Sequence, residues 1–204
     1  MKFNKNWVCR NAANGITSFG ILLCFVIQWV IYIHPVWIMK ALICLGAGIM
    51  VSDFIDGPVA RYFERNGYEG SISPTGKFLD RFRDKDFQLT MFFFFAFHPK
   101  VEYHLKWAFT LLIISEFVLL GTLFVGVKKK MDVAAADWGK WKMFLECVAI
   151  FVCLLNLFAQ EHGIKAFSTV AYVLTGMAVI SFGFAVMSIK GHVSPFFTQK
   201  KSVG

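Results

Sequence analysis

Four carboxylates set the chemical question in this sequence: Asp53, Asp56, Asp80 and Asp84, all between Ser52 and Lys85. On a helix that advances about 100° per residue, Asp53 and Asp56 stand roughly 60° apart, and Ala60 and Arg61 continue the same side. Gly76, Asp80 and Asp84 recur at every fourth residue, which projects both aspartates from one face. Two such pairs facing each other make a cup of hard oxygen ligands suited to Mg²⁺, Mn²⁺ or Ca²⁺. Carboxylates this close stay ionised only where cations neutralise them, so a metal is expected. Gly57 and Gly76 leave room beside the cup for a phosphate-bearing ligand, although either glycine alone reads as a packing contact between membrane helices.

The elements that must hold these groups are membrane helices. Of the 204 residues, 57% are hydrophobic, above the roughly 45–50% of soluble domains. They fall in long runs that match about 30 Å of hydrocarbon crossed by a helix. Six spans are drawn at 16–33, 36–52, 86–98, 105–127, 143–159 and 166–189. Stretches such as Met91 to Phe97 do not alternate, which excludes a β-barrel. The predicted fold is therefore all-α and integral to the membrane, with six transmembrane helices. A single domain covers 1–204, the motif lies at 53–84, and a short juxtamembrane segment at 1–15 precedes a retained first helix. Lys2, Lys5 and Arg10 precede that helix, but no A-x-A-like cleavage site follows it. A carboxylate inside a span costs about 2.5–3.5 kcal/mol on insertion scales, so a group of them at span ends implies function.

The net charge of +8 would suit nucleic acid if it formed a patch, but it follows membrane topology instead. With six spans, all of the 21 basic residues except Lys40, Lys100, Lys106 and Lys165 fall on one side, which the positive-inside rule makes cytoplasmic. Both termini are then cytoplasmic, and no nucleic-acid partner is expected. The five cysteines are odd in number and mostly lie in apolar runs, so no disulfide framework is implied. The histidines show no metal-ligand spacing, and the tryptophans sit mostly at membrane boundaries.

Asp53-Phe-Ile-Asp56-Gly57-Pro-Val-Ala60-Arg61 followed by Gly76-Lys-Phe-Leu-Asp80-Arg-Phe-Arg-Asp84 resembles the signature D-x-x-D-G-x-x-A-R…G-x-x-x-D-x-x-x-D of the CDP-alcohol phosphotransferases, also called CDP-alcohol phosphatidyltransferases. All of its defining residues are present. Asn14-Gly-Ile-Thr17 resembles the N-x-L-T segment that opens the first span, and Gly139-Lys140-Trp-Lys142 resembles the G-K-x-K element before the fifth. There are departures. The interval 62–75 is longer than usual and contains Pro74, so an extended cytoplasmic loop is expected there. Ala13 stands where a proline is usual, and Gly20 where an arginine often follows the threonine.

The resemblance implies a six-helix enzyme in which an alcohol attacks the β-phosphorus of a CDP-activated lipid and CMP leaves. It implies two divalent cations, Mg²⁺ or Mn²⁺, on Asp53, Asp56, Asp80 and Asp84, with Asp84 as the base that takes the hydroxyl proton. Cytidine diphosphate is expected near Asp56, Gly57, Ala60, Arg61, Gly76 and Asp80, with Asn14 and Thr17 contributing hydrogen bonds. Lys140 and Lys142 are expected either to bind an acceptor phosphate or to anchor the chain on anionic headgroups, and Lys85 to assist phosphate binding. CDP-diacylglycerol and glycerol 3-phosphate are the leading substrates, as in phosphatidylglycerophosphate synthases. Those enzymes often carry an Arg-Glu pair in the fourth span, where this chain has Ser115-Glu116, so inositol phosphate or another alcohol stays open as acceptor. The expected location is the bacterial cytoplasmic membrane, with the site on the cytoplasmic side, and the family allows a homodimer. A cation transporter built on the same aspartates is the reading of another class. The clustering of the aspartates at one membrane face disfavours it.

Overall fold

The computed structural model describes residues 5–33, 37–66, 74–128, 137–164 and 168–198, with some side chains inside these ranges excepted, among them those of Asp53 and Lys140. These residues form six helices: α1 (Lys5–Ile33), α2 (Ile38–Arg65), α3 (Pro74–Phe97), α4 (Tyr103–Lys128), α5 (Asp137–Glu161) and α6 (Ser168–Thr198). Among the described residues there is no strand. Helices are what a bilayer demands, because each backbone polar group must find its partner within the segment. Five of the six, all but α3, contain a stretch long and apolar enough to cross a membrane. α3 falls short because it carries Asp80, Arg81, Arg83, Asp84, Lys85 and Asp86.

Two helices run well past the apolar runs that announce them. α2 continues beyond residue 52 through the whole first half of the motif to Arg65, with Pro58 inside it. α3 starts at Pro74 rather than near 86. Proline suits a first helical turn, where its missing N–H would have had no partner anyway. The expected loop over 62–75 is therefore shortened at both ends. What is left of it begins at Asn66, which caps α2, and 67–73 lie outside the described residues.

The chain divides into two compact units, Met1–Thr90 and Met91–Gly204. In the first, α1 packs along α2. Thr17, Gly20, Cys24, Ile27 and Val30 are buried at steps of three or four residues, while Phe19, Leu22, Phe25 and Trp29 are exposed between them. The first set is the face toward the protein. The second is the face a lipid chain would cover.

In the second unit α6 packs on both α4 and α5. Its buried face reads Ala171, Leu174, Ala178, Ser181, Ala185 and Ser188, alternating steps of three and four. The mostly small side chains let helix backbones approach closely in the absence of a hydrophobic drive between helices. Phe92 and Phe95, at the end of α3, stack on Phe109 of α4 with ring centroids 5.7 and 4.9 Å apart. α5 closes at Gly163, which takes the left-handed conformation (φ 73°). Its neighbour Ile164 donates back to the Ala159 carbonyl at 3.0 Å, the pattern by which a C-terminal glycine satisfies the last carbonyls.

A buried ionic cluster ties the three helices of this unit together. The Lys142 ammonium on α5 donates to Glu116 Oε1 on α4 and to Glu146 Oε2 one turn along α5 (2.7 Å). Ser181 of α6 donates to Glu146 Oε1 at 2.8 Å. Lys142, Glu116 and Glu146 are each at most 1% exposed. Lys142 is thus not among the surface charges of the cytoplasmic side, where its sequence position placed it.

Breaking such a cluster on one side should cost more than removing it whole, since an unpaired buried charge is the expensive state. Lys142→Met is expected to lower stability by roughly 3–5 kcal/mol, measured as thermal unfolding in detergent. Combining it with Glu116→Gln and Glu146→Gln should recover most of that loss.

Candidate active site

The motif's first half lies on α2 and its second on α3, so the site is assembled by bringing the end of one helix to the start of the next. Asp56, 8% exposed on α2, meets α3 through Arg83. The Arg83 guanidinium donates from Nη1 to Asp56 Oδ2 at 2.9 Å. From Nη2 it donates to Asp80 Oδ1 at 2.7 Å and Asp84 Oδ1 at 3.1 Å. Nε also reaches Asp84 Oδ1, at 3.3 Å. Arginine alone among the side chains presents a planar fork of five donors that can engage several carboxylates at once without losing its charge.

The α1 helix completes this arrangement from the other side. The Thr17 hydroxyl, buried, donates to the same Asp56 oxygen at 2.9 Å. Three residues along, Gly20 faces the Arg83 stem so closely that a Cβ there would lie 2.5 Å from Cδ of Arg83 and 2.8 Å from Oγ of Ser52. Position 20 is therefore empty of side chain, and an arginine from α3 passes through the space. Further along the same helices, the Gln28 amide donates to Asp86 Oδ1 at 3.0 Å and to Thr90 Oγ1 at 3.1 Å.

The structure treats the sequence-predicted residues differently. Asp56, Asp80 and Asp84 are brought together on one cation, and Thr17 joins them, with its hydroxyl proton turned to Asp56. Gly57 and Arg61 form a second small group: Arg61 is exposed and folds back one turn, its Nη1 3.5 Å from where a Cβ on Gly57 would be. Ala60, Gly76, Asn14 and Lys85 are half-buried on their helices. The backbone of Asp53 lies on α2 one turn before Gly57, but its side chain, like that of Lys140, lies outside the described residues. Lys142 is engaged by Glu116 and Glu146.

Arg83 is the residue that sequence reasoning missed, having been counted with the cytoplasmic loop charges. It is fully buried. Its signal was an arginine three residues after the motif aspartate Asp80, a spacing at which opposite charges meet on a helix.

Among the described residues no group of three or more His, Cys, Asp or Glu is preformed to hold a metal ion, because the three carboxylates converge on a guanidinium. The donor set nonetheless fits a hard divalent cation. All the groups are carboxylates, they already point at a shared positive charge within 3.1 Å, and Asp80 keeps 40% of its side chain open to solvent.

An all-helical chain with five helices long and apolar enough to cross a membrane, and with carboxylates of two helices gathered at one point, is an integral membrane protein with a clustered acidic site. The model of the CDP-alcohol phosphatidyltransferase family matches residues 10–189, and the chain belongs to that family. No curated protein and no solved structure matches the chain. Membership makes it an enzyme that transfers a phosphatidyl group from a CDP-alcohol to an acceptor in phospholipid biosynthesis, and the family generally depends on divalent cations.

The close passage at Gly20 predicts that Gly20→Ala overpacks the site at a cost of about 1–3 kcal/mol, whereas Gly15→Ala, with open space around it, should be neutral. Thermal unfolding of both variants checks this. Equal midpoints would mean that Arg83 does not lie against Gly20.

Proposed function

We propose that the chain transfers the phosphatidyl group of CDP-diacylglycerol to a small alcohol, with glycerol 3-phosphate the leading acceptor, and releases CMP. The observation that carries this reading is the convergence of Asp56, Asp80 and Asp84 on one cationic point, because the reaction needs concentrated positive charge beside a pyrophosphate.

Asp56, Asp80 and Asp84, with Asp53, would hold two divalent cations, Mg²⁺ or Mn²⁺. When bound, these supply charge neutralisation for the pyrophosphate and the departing CMP. Thr17 fixes Asp56 by its hydrogen bond. Gly57 leaves the α2 surface open where the diphosphate must approach, and the Arg61 guanidinium beside it offers a charge-assisted contact. Ala60, Gly76 and Asn14 are assigned to the same cytidine diphosphate subsite from the sequence resemblance. Asp84 is the assigned base. As the acceptor oxygen bonds to the β-phosphorus, its proton passes to the Asp84 carboxylate, the bond from phosphorus to the bridging oxygen breaks, and the electron pair leaves with CMP.

The acceptor phosphate is assigned to Lys85, next to Asp84 on α3, and to Lys140. Lys142 is left out because two buried glutamates already take its ammonium. The proposal places α3 as the sixth span, both termini in the cytoplasm and the motif at the cytoplasmic face. It is supported by the lopsided distribution of basic residues.

The test is CMP release from CDP-diacylglycerol by purified protein with Mg²⁺ or Mn²⁺, offering glycerol 3-phosphate, inositol phosphate, inositol and serine separately. Metal-dependent release with one acceptor alone is expected. Release with none of them, together with cation flux in proteoliposomes, would replace the proposal with transport. Asp84→Asn should lower turnover by about 10²–10⁴-fold while retaining CDP-diacylglycerol binding. Asp56→Asn should weaken metal binding as well.

A further inference from the structure

Arg83 is not part of the signature, yet its guanidinium reaches three of the motif aspartates at once. It is fully buried, whereas the Asp80 and Asp84 carboxylates it holds keep 40% and 17% of their side chains exposed. The arrangement thus has a closed cationic floor and an open anionic mouth. Its stem lies against Gly20 and Ser52, and its backbone carbonyl lies 3.9 Å from the buried Cys24 thiol, so the guanidinium is delivered from a wedged position rather than from a loose chain.

A cation held this way bears on metal loading. The oxygens that grip Arg83, Asp56 Oδ2, Asp80 Oδ1 and Asp84 Oδ1, belong to the same carboxylates that would grip a divalent ion. Both cations draw on one set of negative charges, and in a partly buried site the repulsion between them is poorly screened. We propose that Arg83 is the resident counter-ion of the carboxylate cup and competes with the divalent cations for it. It keeps the two motif helices assembled when metal is scarce, and it sets the metal affinity below what the aspartates alone would give. Arg83 is in this sense a positioning residue for the reaction. The inference rests on the reading of the aspartates as cation ligands made above.

The experiment compares wild type with Arg83→Gln and Arg83→Lys, all purified in Mg²⁺ and then stripped with chelator. It uses two readouts that need no turnover: Mn²⁺ affinity by electron paramagnetic resonance, and the thermal midpoint as a function of Mn²⁺. Arg83→Gln is expected to bind Mn²⁺ about tenfold or more tightly than wild type. Its midpoint should fall in chelator, and Mn²⁺ should raise it by more than it raises the wild-type midpoint, because metal replaces the lost charge. Arg83→Lys keeps a cation but cannot bridge three carboxylates, and it should fall between. It also carries the test if Arg83→Gln does not fold. Equal Mn²⁺ affinities, with midpoints lowered by the same amount with and without metal, would make Arg83 a packing residue and overturn the competition alone. If no protein binds Mn²⁺, while CMP release proceeds in chelator, the metal reading itself falls and the competition with it.

Discussion

Ionised carboxylates cannot be gathered at the ends of membrane helices unless a positive charge stands among them, and the first unit of this protein is arranged around that requirement. Arg83 answers it for Asp56, Asp80 and Asp84. The neighbouring residues follow from the answer. Gly20 has no side chain because the arginine stem passes there. The Ser52 hydroxyl turns back to the Ile49 carbonyl at 2.7 Å rather than being left without an acceptor beside that stem. Thr17 adds the hydrogen bond that an aspartate shared between two helices needs to hold one orientation. The aspartate motif and the helix packing of this unit are therefore one problem with one solution.

The same rule recurs in the second unit with other residues of the same signs, one lysine gripped by two glutamates. Its setting differs. Every member is inaccessible and the partners come from three helices, so the cluster acts as a fastener among α4, α5 and α6 rather than as a place where a ligand arrives. Glu116 without a neighbouring arginine is accounted for by this contact: its counter-charge comes from α5 instead of from the preceding residue.

Much of this was legible beforehand, for physical reasons that can be named. Long apolar runs mark helices in a bilayer because length and hydropathy are what the membrane selects; each of the six expected runs overlaps a helix, and five of those helices, all but α3, are long and apolar enough to cross a membrane. The extents were less legible. Past residue 52 and before residue 86 the chain turns polar, and hydropathy cannot see a helix that leaves the hydrocarbon, although the four-residue spacing of Gly76, Asp80 and Asp84 could. The motif aspartates stood out through their spacing and through the insertion cost of carboxylates. Arg83 and Lys142 did not, because a basic residue near a span end reads as a membrane-surface charge unless its partners are known. Those partners come from other helices: Asp56 lies 27 residues from Arg83, and Glu116 lies 26 from Lys142. One-dimensional spacing shows only the local half of each cluster, Asp80 and Asp84 in one case and Glu146 in the other.

The contact between Gly20 and Arg83 also limits the routes by which such a site can change over generations. A side chain at position 20 and a long one at position 83 crowd each other, so the positions are epistatic. A lineage that moves its arginine from α1 to α3 must lose the first before it gains the second, or pass through a form in which both crowd one space. The intermediate with neither arginine leaves Asp56, Asp80 and Asp84 without the guanidinium that now joins them. The order in which the two positions change is thereby constrained by packing as well as by charge.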